Sequence, residues 1–132
     1  MQSALKTGSP SAKIYFELGY AFYNTEKYDD ALTYYKKTLD INEQYYDAYK
    51  GIGNVFYRKK DYEEAAENYT KYLEDEDADN YYYYRLGRCF EETEEYEDAL
   101  GYFEKYDPED PADIAMKYTE IGFTNYKLEN ND

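Results

Sequence analysis

Apolar and polar positions along this chain recur in register. Tyr15, Leu18, Gly19 and Phe22 stand at i, i+3, i+4 and i+7, the spacing of one helix face. The order returns at Tyr49, Ile52, Gly53 and Phe56, and again at Tyr83, Leu86, Gly87 and Phe90, each time 34 residues on. A second helical stripe follows each first one. It reads Ala31, Tyr34 or Tyr35, Thr38 and Leu39; then Tyr62, Ala65, Tyr69 and Tyr72; then Tyr96, Ala99, Phe103 and Tyr106. Thr25-Glu26-Lys27, Lys59-Lys60-Asp61 and Thr93-Glu94-Glu95 are the turns between paired helices. A fixed period of this length means stacked repeats, because one helix pair cannot bury its apolar face alone.

The pattern divides the chain into a flexible leader over 1–11 and full repeats over 12–45, 46–79 and 80–113. A partial fourth unit, capping or truncated, occupies 114–132. Ordered structure is expected from about Ala12. Prolines at 108 and 111 stop the last full unit. Tyr118, Ile121 and Gly122 repeat the first-helix signature, now 35 residues after Tyr83, with the extra residue expected in the 108–111 turn. Asn125 then replaces the expected Phe.

A glycine inside a helix costs roughly 0.5–1 kcal/mol relative to alanine. Gly19, Gly53 and Gly87 are tolerable if a neighbouring side chain packs over the bare backbone. Ala31, Ala65 and Ala99 are the small partners on the second helices, and Tyr35, Tyr69 and Phe103 are the fillers between units. The set Tyr83, Leu86, Gly87, Phe90, Ala99, Phe103 and Pro111 resembles the tetratricopeptide repeat pattern, with Tyr where that family usually has Trp. The first two copies match except at the last position, where Glu43 and Asp77 stand. The resemblance implies an all-α, right-handed α-solenoid of three full repeats and a final partial one. It also implies a concave groove lined by first helices, able to hold a peptide.

Composition narrows the partner. Thirty acids against fifteen bases give a net charge of -15. Such a surface repels phosphate, so neither nucleic acid nor an anionic membrane is an expected partner. No apolar run reaches the length of a membrane span. One Cys and no His exclude an internal disulfide and fit a reducing compartment, read as the cytoplasm. With 22 Tyr and 6 Phe, rings must supply most of the core.

Carried over from the family, the groove positions are Phe16, Tyr20 and Tyr23 in the first unit and Lys50, Asn54, Tyr57 and Arg58 in the second. Tyr81, Tyr84 and Arg88 follow in the third. Lys13, Asn24, Asp47, Glu91, Glu92, Phe123 and Tyr126 flank them. Aromatic and basic side chains concentrate there, which points to a protein or peptide ligand with apolar and acidic residues. A family clamp for a terminal carboxylate would need a set of Lys, Asn and Arg at the positions of Phe16, Tyr20, Gly51, Tyr81 and Arg85. Only Arg85 qualifies, so that clamp is rejected. Self-association, as a homo-oligomer or a slice of a longer array, is the alternative reading.

Other signals point away from catalysis, metals and cofactors. Asp75-x-Asp77-x-Asp79 opens like a calcium loop but lacks its Gly and its closing Glu, and reads as a solvated turn. Asn68-Tyr69-Thr70 is a glycosylation pattern set inside a helix. Cys89 replaces Ala21 and Val55 of the other copies and reads as a small buried residue, with no His to activate it. The acid run Glu91-Glu92-Thr93-Glu94-Glu95 reads as a solvated face.

Overall fold

The structure, a computed structural model, describes residues 10–130. The leader expectation therefore lies largely outside the described residues. Helix α1 spans Pro10–Asn24, beginning slightly before Ala12, and α2 spans Tyr28–Ile41. Then come α3 (Tyr46–Arg58), α4 (Tyr62–Tyr72), α5 (Tyr81–Glu92), α6 (Tyr96–Lys105) and α7 (Pro111–Asn130). The described residues contain helices and no strand. Each helix packs on its neighbours in sequence, and α1 also meets α3, so the pairs stack into a right-handed α-solenoid.

Small residues fix how closely the helices approach. A Cβ added at Gly19 would lie 2.7 Å from the Tyr35 ring, and one at Gly51 would lie 2.5 Å from it. One fully buried ring therefore fills the seam between units by lying across two bare backbones. Tyr69 lies over Gly53 and Phe103 over Gly87 in the same way, each ring 2.7 Å from an added Cβ. This settles the choice between Tyr34 and Tyr35. Tyr35 is the buried seam ring, while Tyr34 stacks between Tyr15 and Phe22 within its own unit. Ala31, Ala65 and Ala99 are wholly buried, as their place between helices requires.

Leu18 departs from the expected stripe. It is 39% exposed, and Ile14 is 54% exposed, because they lie on a side of α1 against which no described element packs.

The turns share one backbone device. Glu26, Lys60 and Glu94 have φ of 62°, 64° and 62°, the left-handed region that favours glycine. Lys27, Asp61 and Glu95 then donate their backbone N–H back to Phe22, Phe56 and Phe90, closing the preceding helix. The turn thus keeps its shape without the residue that would adopt it most easily.

Candidate functional site

The first helices α1, α3, α5 and α7 carry the residues singled out from the sequence, and the structure sorts them by role. Tyr20 is open to solvent, 56% exposed. Lys13 and Arg58 are exposed as well. The neighbouring Tyr28 hydroxyl raises the Arg58 guanidinium pKa. Tyr23 is half-buried beside Tyr28, ring centres 5.8 Å apart, and burial pushes its hydroxyl up.

Phe16 closes the seam between the first two units, 5.7 Å from Tyr35 and 5.3 Å from Tyr45. Lys50 lies over Tyr72 and Tyr82, 5.3 and 5.5 Å from their centres, and 4.0 Å from Asp47. Its charge is already shared with rings and a carboxylate.

Tyr84 corrects the sequence reading. It is 7% exposed and belongs to the core, with Phe103 at 5.7 Å and Tyr106 at 5.6 Å. The end of α6 covers this part of α5, so the ring faces inward. Only its hydroxyl reaches the polar face, accepting from Arg88 at 3.4 Å.

The centre of the face is a polar ladder that the sequence reading did not assemble. Asn54 Oδ1 accepts from the Tyr69 hydroxyl at 2.5 Å and from Arg85 at 3.2 Å. Asn54 Nδ2 donates to the Tyr82 hydroxyl at 3.5 Å. Arg85 also donates to the Tyr69 hydroxyl at 3.2 Å and to the Tyr81 hydroxyl at 3.4 Å. Its guanidinium lies 4.4 Å from the centre of the Tyr57 ring. Burial alone would lower the Arg85 pKa, but the surrounding tyrosines more than offset it, and it stays cationic. A visible signal was register: Arg85 falls 34 residues after Gly51, where the preceding unit has no side chain.

Arg88 closes the ladder toward α7. It lies 3.3 Å from Glu91 and 3.6 Å from Glu120. Burial, and then the hydrogen bond and charge of Glu120, push Glu91 up to about 7, with Arg88 opposing. Glu91 Oε2 is sealed from water and finds no donor. Protonated, it can give its hydrogen to Glu120.

The weaker motifs resolve as follows. Asp75 and Asp79 accept from the backbone N–H groups of Asp77 and Tyr81, at 3.1 and 3.0 Å, and so shape the turn. Cys89 is 1% exposed, and burial pushes its thiol up to about 12. Among the described residues, no group of three or more His, Cys, Asp or Glu could hold a metal ion. No described helix is long and apolar enough to cross a membrane.

The tetratricopeptide repeat family pattern matches residues 1–46, 16–81 and 50–114. No curated protein sequence matches. Among solved structures, a type III secretion (T3SS) complex from Aeromonas hydrophila aligns with a TM-score of 0.82 at 15% identity, over 96% of this chain and 90% of that one. YrrB, described as having an unusual peptide-binding site, aligns at 0.78 and 24% identity over 92% of this chain. This chain spans 62% of that structure's length. The first repeat domain of Spaghetti (RPAP3), bound to the HSP90 peptide SRMEEVD, aligns at 0.77 and 18% identity over 91% of this chain and 94% of that one.

Proposed function

The chain belongs to the tetratricopeptide repeat family, and on that premise we propose that it holds a peptide segment of a partner protein against the face formed by α1, α3, α5 and α7. One observation carries the reading. Exposed rings, Tyr20 at one end and Phe123 and Tyr126 at the other, flank a row of fixed donors and acceptors built from Asn54, Arg85 and Arg88. Exposed rings supply contact area at little entropic cost, and preorganised polar groups set register. The bases Lys50 and Arg88 are already engaged. An acidic residue of the ligand would therefore be met by Lys13 and Arg58, at the α1–α3 end. Two proteins of similar fold, YrrB and the first repeat domain of Spaghetti, are peptide binders, which supports the assignment by analogy.

The test is selection from a displayed peptide library against the full chain. Parent protein should enrich a common motif. Tyr20→Ala combined with Phe123→Ala should lose that enrichment with an unchanged circular dichroism spectrum. Equal enrichment by the double variant would overturn the reading.

A second reading, self-association, draws on Gly122. A Cβ there would meet nothing within 4 Å, and Tyr118 nearby is 60% exposed. Sedimentation over a concentration series separates the two readings, since a chain that stays monomeric removes the second.

A further inference from the structure

Rings stack between the two helices of a unit in the first and third units. Tyr34 lies between Tyr15 and Phe22, 6.0 and 5.5 Å from their centres. Tyr102 lies between Tyr83 and Phe90, 6.5 and 5.4 Å from theirs. A lysine three residues further on caps each stack: Lys37 lies 5.1 Å from the Tyr34 centre and Lys105 5.3 Å from that of Tyr102.

The second unit has the outer rings, Tyr49 and Phe56, and the lysine, Lys71, but Asn68 stands in the place of the middle ring. Beside it, Ala66 stands where the other units have Leu32 and Leu100. Asn68 does not fill the gap; its amide turns back to donate to the Glu64 carbonyl at 2.9 Å. Among the described residues, no ring pairs with Tyr49, and Lys71 has neither ring nor ion-pair partner.

The two truncations sit in an open cleft of about 900 Å³ that Tyr49, Ala66, Asn68 and Lys71 all line. Cys89 and Phe90 of the next unit complete its apolar part. Glu63, Glu64, Glu67, Glu74 and Glu95 also line it, and Lys71 is its single base. None of the residues of the α1–α3–α5–α7 face named above lines this cleft.

We propose that this cleft is a second docking site, which takes an aromatic side chain of a partner protein flanked by basic residues. The incoming ring stacks on Tyr49 where Asn68 leaves room, with Lys71 over it as Lys37 and Lys105 lie over their own rings. The flanking Lys or Arg residues meet the carboxylates at the cleft, which also steer the approach. A second copy of this chain is disfavoured as occupant, because its net charge of -15 would set acid against acid.

The probe is the synthetic peptide Gly-Lys-Arg-Tyr-Arg-Lys-Gly, with the same peptide carrying Ala for Tyr as control, added to the isotope-labelled full chain. Amide resonances report where each binds. The Tyr peptide should shift Tyr49, Ala66 and Lys71 saturably, and the Ala peptide should bind about ten-fold more weakly or worse. Ala66→Leu combined with Asn68→Tyr restores the residues of the other units. It should lose about ten-fold or more in affinity while melting no lower than the parent. Tyr20→Ala should bind as the parent does. Should the restoring variant fail to fold, Glu67→Lys with Glu74→Lys carries the test, with a loss of about ten-fold expected. Unchanged affinity in the variant used, equal binding of the two peptides, or no saturable shift at the cleft would overturn the proposal. So would a parent dimer that the restoring variant lacks, since the cleft would then belong to a second copy.

Discussion

Helices α3 and α7 carry the same signature and meet different neighbours. In α3, Gly53 lies under the buried Tyr69 ring, and Tyr49 is half-buried. In α7, Gly122 faces open space and Tyr118 is 60% exposed. The repeat signature is thus half of a contact. The other half is the ring on the following helix, and it decides whether the glycine is required for packing or merely weakens its helix.

The largest expected break comes at Gly53. Gly53→Ala puts a Cβ 2.7 Å from a ring whose hydroxyl is pinned by Asn54 and Arg85. The ring cannot yield, so urea unfolding should show a loss of roughly 1–3 kcal/mol, as overpacking does. No loss would mean that the seam is softer than its geometry.

An intermediate effect should appear at the polar clamp that ties α5 to α7 through Arg88, Glu91 and Glu120. Glu91 is raised from its ordinary 4.5 to about 7. Its contribution to stability is therefore complete below the unfolded value and is lost as pH rises through about 7. Melting curves of the parent and Glu91→Gln should diverge in slope between about pH 5 and pH 8, with the parent falling more steeply. Parallel slopes would show that Glu91 titrates normally.

The smallest effect runs in the opposite direction. Gly122→Ala fills no occupied space and improves the helix, so stability should rise by roughly 0.5–1 kcal/mol. A loss there would show that something covers Gly122 in solution.

Much of the architecture was legible because period and residue size carry it. Gly19, Gly53 and Gly87, with Ala31, Ala65 and Ala99, locate the close approaches from spacing alone. Contacts between units were harder to read. Tyr84 sits at a position that the family resemblance assigned to the groove, yet the end of α6 covers it. Leu18 matches the apolar stripe, yet no described element lies beyond α1 to bury it. Arg85 is a hub because Tyr57, Tyr69, Tyr81 and Asn54 converge from three helices, which no local pattern encodes.

The left-handed turns at Glu26, Lys60 and Glu94 carry a consequence for engineering. A residue with a side chain in that conformation costs roughly 1–2 kcal/mol that glycine would avoid. These positions are exposed, lie in separate loops and recur once per full unit. Relief at one does not disturb the others, so small gains should accumulate additively down the stack. The architecture thus holds untapped thermal headroom at its hairpin corners.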